Sequence, residues 1–172
     1  MKALIVAVDE EWGIGRHGDI PWYYAEDMKF FSQTTRGGIC IMGRKTYEDI
    51  LDKVGNKDQL LPKRTSIVIT SLPANEVHGA LAVKSFEDAL KLAESISLFE
   101  GDEPEPIFFT GGESIYKGCL PYIDTALVTY IPGTHDCDVI ISEVVEHIQG
   151  TMELVDSNVT ESGLKFNKYQ QS

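Results

Sequence analysis

Ile39-Cys40-Ile41-Met42-Gly43-Arg44-Lys45-Thr46 is the stretch on which the fold turns. Four consecutive apolar residues without polar alternation read as a strand covered on both faces, the pattern of a parallel sheet. Gly43 ends the run, and a short helix follows, with its regular part expected from Thr46 to Leu51. A strand that feeds directly into a helix is half of a βαβ unit. The charges in this stretch are oddly placed, because cations at a helix N-terminus oppose its dipole. A bound phosphate would remove the conflict. The unpaired N–H groups, the Thr46 hydroxyl and the cations Arg44 and Lys45 would then share one anionic guest, and Gly43 would let the backbone approach it. An ordinary solvated turn is the competing reading.

The same grammar extends in both directions. Upstream, Ala3–Val8 is another buried strand, cut off by Asp9, Glu10 and Glu11. A long glycine-containing loop from Asp9 to Tyr24 holds Trp12, Pro21 and Trp22, and Ala25 to Thr35 has helical periodicity. Downstream come a polar loop from Asp52 to Lys63, a strand Thr65–Thr70 and a further strand Ala80–Val83. Ser85 caps a helix running to Phe99, with Glu87 and Asp88 in its first turn, where the dipole favours acids. After a break at Gly101 to Pro106 follow strand Ile107–Thr110, turn Gly111-Gly112, helix Glu113 to Cys119 and strand Thr125–Ile131. The tail from Met152 to Tyr169 can hold a closing hairpin. Strands alternating with helices predict an α/β fold on a mainly parallel sheet, and 172 residues predict one domain over 1–172. Thr70-Ser71 and Gly111-Gly112 also sit just past strand ends, where open α/β sheets bind ligands. Three such ends together point to a nucleotide cofactor; either pair alone would read as a plain turn.

Composition narrows the partners. Acidic residues outnumber basic ones 27 to 15, a net charge of -12. Such a field repels polyanions, which argues against nucleic acid and anionic membrane as partners. Any anion site must therefore be built from local cations. The apolar share of 42% is enough for one core without disulfides. Cys40, Cys119 and Cys137 form no CxxC pair and leave one over, which fits a reducing cytoplasm. The Ala3–Val8 run is too short for a signal peptide, and no stretch approaches a membrane span.

One carboxylate stands among apolar neighbours. On a helical wheel, Tyr24, Met28, Phe30 and Phe31 share an arc, with Glu26, Lys29, Ser32, Gln33 and Arg36 opposite. Asp27 falls inside the apolar arc. It either complements the helix N-terminus as a first-turn acid or serves as a buried functional group. Burial would raise its pKa, each unit meaning about 1.36 kcal/mol of preference for the protonated form. Such an acid can hold an amidine-like N–H edge and take part in proton transfer near neutrality.

Other signatures fail on context. Gly13-Ile14-Gly15-Arg16-His17-Gly18 spells GxGxxG, but the strand ends too early and Pro21 stands where the helix should run. Those glycines read better as a mobile flap. His17, His78, His135 and His147 have no paired ligand spacing, so no metal site is expected. His135-Asp136-Cys137-Asp138 reads as a solvated acidic loop, with a metal site as the lesser alternative.

Taken together, several segments resemble dihydrofolate reductase, from Leu4 to about Tyr169. They are Ile14-Gly15, Ile20-Pro21-Trp22, Asp27 with Phe31, Ile41 to Thr46, Leu61-Pro62 with Arg64, and Gly111-Gly112 with Ile115-Tyr116. Each is short; their order and spacing make the joint match specific. The resemblance implies an eight-stranded, mostly parallel mixed sheet with flanking helices and a C-terminal antiparallel hairpin. It implies NADPH as cofactor and 7,8-dihydrofolate as substrate, with hydride going to C6 and a proton to N5. Asp27, Trp22 and Thr129 would form the catalytic set, Asp27 and Thr129 bonding the pterin. Ile5, Met28, Phe31, Ile50, Leu61 and Thr110 would line the substrate pocket, and Arg64 would pair with the glutamyl α-carboxylate. Arg44 and Thr70 would hold the 2′-phosphate, Ser71 would also contact the cofactor, and Lys84 would sit near the adenine. Gly43, Lys45, Thr46, Gly111, Gly112, Ser114 and Ile115 would take the pyrophosphate and its surroundings. Ala7, Ile14, Ile20 and Tyr116 would frame the nicotinamide, and the Gly111-Gly112 bond would be cis. A cytoplasmic monomer is the expected form.

Three departures stand out. Asp52–Leu60 is longer than the compact pattern, Thr110 replaces an aliphatic residue and would make the pocket wall more polar, and Cys137 replaces a glycine beside Asp138. The last puts the coupling of that loop to the flap in question. Two other functions compete. One is a same-fold reductase of a ribosylamino-pyrimidine; the other is a non-catalytic module binding folate or NADPH. Asp27 after Pro21-Trp22, together with Arg64, favours folate.

Overall fold

The computed structural model describes residues 1–54, 58–99 and 103–171. In chain order the strands and helices are β1 (Lys2–Val8), β2 (Gly13–Gly15), α1 (Ala25–Thr35), β3 (Ile39–Gly43), α2 (Arg44–Val54), β4 (Thr65–Ile69), β5 (Leu81–Val83), α3 (Phe86–Phe99), β6 (Ile107–Phe109), α4 (Glu113–Cys119), β7 (Thr125–Tyr130), β8 (Val139–Ile140), α5 (Ser142–Thr151), β9 (Met152–Val159) and β10 (Lys165–Gln171). An eight-stranded sheet runs β5-β4-β3-β6-β1-β7-β10-β9, and β2 pairs with β8 in a separate ribbon. Every pairing from β5 to β7 is parallel, and β10 pairs antiparallel with both β7 and β9. This is the mixed sheet with a terminal hairpin that the sequence predicted.

The apolar runs are explained by cover on both faces. Ile39, Ile41, Ile67 and Phe109 pack with Ala89 and Ala93 of α3, Ile115 and Cys119 of α4, and Val144 and Ile148 of α5. Cys40, Met42, Val68 and Phe108 turn the other way, towards Tyr47, Leu60 and Leu61, with Phe30, Phe31 and Ile50 packed against them. Thus α1 and α2 cover one face, and α3, α4 and α5 the other. Phe108 and Phe109 are fully buried on opposite faces, and each contributes roughly 1.5–3 kcal/mol by leaving water.

Some elements differ from expectation. The helix expected over Thr46–Leu51 starts at Arg44 and runs on to Val54, taking in part of the expected polar loop. Residues 55–57 of that loop and residues 101–102 of the break before Pro106 lie outside the described residues. The Asp9–Tyr24 loop contains β2, which pairs with β8. Ala74–Glu76 forms a 3₁₀ turn, and the helix α5 was not expected at all. It has no side-chain N-cap to announce it, and it is held by burial of Val144, Val145 and Ile148.

Candidate active site

Register gathers one group of residues along the C-terminal edge of the sheet. Gly43 pairs with Ile69 and Ile69 with Val83, while the Thr70 N–H donates to the Val83 carbonyl at 2.9 Å. Arg44, Thr70-Ser71 and Lys84 therefore follow one another at the ends of β3, β4 and β5. The row continues to β6, where the Gly43 N–H donates to the Gly111 carbonyl at 2.8 Å. The Gly111-Gly112 peptide is cis. Gly111 has φ 111°, and a Cβ there would meet the Tyr116 hydroxyl at 3.0 Å and its ring at 3.1 Å. A Cβ on Gly112 would meet nothing within 4 Å, and one on Gly43 would first touch Ile115 at 3.7 Å. The space over these two glycines is open, with N–H groups at the start of α4 and cations at the start of α2 on either side.

This edge has the chemistry for a phosphate-bearing cofactor. Arg44 is exposed and held by Glu48, Nε to Oε1 at 2.8 Å, one helical turn on. Lys45 ends against Gly18 of the flap. Lys53 lies 3.7 Å from Asp19, so the flap rests along α2. Thr46 is half-buried, and Ser71, Lys84 and Ser114 are exposed. Thr70 is buried, and its Oγ1 accepts the Leu72 N–H at 3.1 Å, which leaves its own proton free to donate.

Asp27 stands at the other end, in the first turn of α1. Burial raises its pKa, and a hydrogen bond with the buried Thr129 pulls it partly back. Thr129 pairs with Ala7, and Leu127 with Ile5, so β1 and β7 bring these four together, with Thr129 as the one bonded to the acid. Below them the Tyr116 hydroxyl donates to the Ile5 carbonyl at 3.0 Å. Burial, then the neighbouring Cys119 and Asp27, drive the Tyr116 pKa far upward, so it stays a neutral donor. Two expectations need correction here. Asp27 is half-buried and not shut away, and Met28, expected on the apolar arc, is 54% exposed. Thr35 is the one residue of α1 that is fully covered.

The remaining pocket residues behave as a set. Phe31 and Ile50 pack on the cluster that contains Ile5, Leu61 and Leu127. Arg64 donates from Nε to the Pro62 carbonyl at 3.0 Å and from a terminal nitrogen to Thr35 Oγ1 at 3.1 Å. Burial lowers its pKa from a high starting value, so it stays cationic. Thr35 is eight residues beyond Asp27, roughly 12 Å along the helix axis. A ligand bridging acid and guanidinium must therefore be elongated. Thr110 adds less polarity than expected, since its hydroxyl donates to the Ile41 carbonyl at 3.2 Å.

The flap closes the picture. Ile14 lies in β2, opposite the short β8. The Asp138 N–H donates to the Gly15 carbonyl at 2.9 Å, and the His17 N–H to Asp138 Oδ2 at 2.8 Å. The two loops are coupled despite Cys137. Ile20 is 52% exposed at the flap tip, and Trp22 meets the His135 ring edge-on at 5.2 Å. Sequence reading gave two residues here no place in the site. Asp9 is 1% exposed with both carboxylate oxygens bonded, and His135 touches Trp22. The signal for Asp9 was available: an acid directly after a buried strand, with a glycine four residues on. Among the described residues no cluster of His, Cys, Asp and Glu is arranged to hold a metal.

Comparison with known proteins adds four findings. Residues 1–170 match the family described as dihydrofolate reductase. Dihydrofolate reductase of Bacillus subtilis is 35% identical over 131 residues, covering 76% of this chain and 69% of the relative. Dihydrofolate reductase HdrB of Haloferax volcanii is 36% identical over 135 residues, covering 78% and 67%. The solved structure of the Enterococcus faecalis enzyme, complexed with NADP(H) and RAB-propyl, superposes with TM-score 0.80 at 28% identity, covering all of this chain and 96% of that one.

Proposed function

The chain belongs to the dihydrofolate reductase family and carries out NADPH-dependent reduction of 7,8-dihydrofolate to tetrahydrofolate, and on that premise we propose how its residues divide the work. NADPH, when bound, supplies the hydride that goes to C6 of the pterin. The open glycine edge fits its backbone-lined phosphates, with Lys45, Thr46, Gly43, Gly111, Gly112, Ser114 and Ile115 around the pyrophosphate. Arg44 and Thr70, with Ser71 beside them, receive the 2′-phosphate, and Lys84 lies near the adenine. Ala7, Ile14, Ile20 and Tyr116 bound the space for the nicotinamide.

Asp27 grips the 2-amino-4-oxo edge of the pterin with Thr129, and its raised pKa lets it promote protonation at N5. Trp22 closes that end of the cleft. Ile5, Met28, Phe31, Ile50, Leu61 and Thr110 line the pterin and benzoyl region, and Arg64 pairs with the glutamyl α-carboxylate. The observation that carries this reading is the half-buried acid bonded to Thr129, with Arg64 anchored to Thr35, which lies roughly 12 Å along the same helix from Asp27.

The proposal also makes the protein a cytoplasmic monomer without nucleic-acid or membrane partners. A charge of -12 and three free cysteines support it, and no helix among the described residues is long and apolar enough to cross a membrane. NADPH oxidation followed by absorbance tests the function, with dihydrofolate or the ribosylamino-pyrimidine as substrate. Turnover with dihydrofolate alone is expected. Turnover with the pyrimidine alone, or with neither, would overturn the reading.

A further inference from the structure

Asp9 takes no part in the roles above, yet it is among the most completely satisfied polar groups in the molecule. It directly follows β1, the strand that carries Ala7, and is 1% exposed. A carboxylate so placed is costly unless paired. Its Oδ1 accepts the N–H groups of Glu11 at 2.9 Å and Gly13 at 2.8 Å. Its Oδ2 accepts the His135 N–H at 3.0 Å and the Cys137 thiol at 3.5 Å. Burial alone would raise its pKa, but the donors of Gly13, His135, Glu11 and Cys137 outweigh it and the net shift is downward. The Cys137 thiol is pushed up to about 11 by burial and by Asp9, so it remains a donor. One oxygen thus holds the base of the flap and the other holds the segment that follows β7.

Backbone bonds tighten the same joint. The Glu10 N–H donates to the Gly133 carbonyl at 3.0 Å, and the Asp9 N–H to the Gly13 carbonyl at 3.0 Å. A Cβ on Gly13 would collide with Cys137, so glycine there is what lets the two segments touch. His135 emerges from this joint with its ring already oriented. Its Nε2 lies 2.9 Å from the Pro132 carbonyl, which can only accept, so Nε2 carries the proton. The ring then meets the edge of Trp22 at 5.2 Å and 61°.

We propose that Asp9 and His135 are positioning residues for Trp22: the Asp9 carboxylate fixes the segment that presents the His135 ring, and that ring fixes the indole at the substrate end of the flap. The inference rests on the reading of Trp22 as part of the catalytic set. Neither residue touches substrate; each acts through Trp22. A misplacement of about 1 Å at a reacting centre can cost up to a hundredfold in rate, so a small indole shift is enough to register.

The test uses Asp9→Asn, His135→Ala, the double variant and His135→Phe, each also placed in a Trp12→Phe background. Trp12 and Trp22 are the two tryptophans, so that background leaves Trp22 as sole emitter. Asn at position 9 turns an NH₂ group towards N–H or S–H donors and breaks half the joint. Both single variants are expected to lower kcat about five- to tenfold while KM for NADPH stays within about twofold. In both, Trp22 emission in the ligand-free protein moves to longer wavelength. The double variant is expected to be no worse than the poorer single, because both act through one contact. His135→Phe, which keeps a flat ring against the indole, recovers most of the lost rate. Unchanged Trp22 emission, multiplicative losses, or no rescue by Phe would overturn the assignment. The emission measurement needs no turnover, so it separates failure of this proposal from failure of the functional one.

Discussion

At the scale of single residues, Asp27 shows how one environment sets both chemistry and stability. Burial raises its pKa, so the folded chain holds this proton more tightly than the unfolded chain. The stability it contributes is full below the ordinary carboxylate value and is lost as pH rises through the raised value. At neutral pH the group therefore costs stability, a cost that its proposed catalytic role would explain. Asp27→Asn should raise the melting temperature at pH 7 and lower kcat by roughly a hundredfold or more. Part of the activity should return at acid pH, where solvent supplies the proton; unfolding scans and a pH–rate profile check both halves. Arg44 answers a different question. It is exposed and aligned by Glu48, and a charge-assisted bond to phosphate is worth about 1.5–3 kcal/mol. Arg44→Leu should raise KM for NADPH roughly tenfold or more and leave NADH almost unaffected. Equal losses for both cofactors would remove the 2′-phosphate from this position.

At the scale of elements, what the sequence disclosed depended on whether an end was marked. The bounds of α1 and α4 were legible to the residue. The α3 start was announced by Ser85, whose Oγ accepts the Asp88 N–H at 3.0 Å. Ser85→Ala should cost about 1 kcal/mol, seen as a lower urea midpoint with an unchanged slope. Helix α5 carried no such mark, since Ile141 at its N-cap offers no side-chain acceptor. Helix α2 was read too short because Asp52 and Lys53 look like loop, although Lys53 in the last turn suits the dipole. The β2–β8 ribbon is too brief for alternation to show; its register is held by Asp138 and by the joint at Asp9. Among the site residues, those in strand–turn–helix motifs were legible. Asp9 and His135 were not, because their meaning lies in a contact spanning 126 positions of chain.

At the scale of the whole molecule, parallel pairing brings the ends of β5, β4, β3 and β6 into one row, and β1 and β7 continue it to Asp27. Motifs scattered from Ala7 to Thr129 thereby become neighbours, which explains why their order in the chain was informative before any geometry was known. Against a net charge of -12, Arg44, Lys45 and Lys84 are all exposed along this edge.

The sheet ends at β9, and among the described residues no strand pairs with its outer side. Leu154, Val155 and Val159 on it are 53%, 49% and 61% exposed. Glu153 and Asp156 interrupt this apolar rim, and charge on a free border is what discourages chains from adding to it. Removing those two charges would turn the border into a template for intermolecular ladders. Light scattering of a Glu153→Gln, Asp156→Asn double variant should therefore climb with protein concentration at pH 7 while the parent protein stays flat, and adding Val155→Lys should hold the variant's solution clear. Solubility in this protein would then depend on two acids at the rim farthest along the sheet from the cofactor edge.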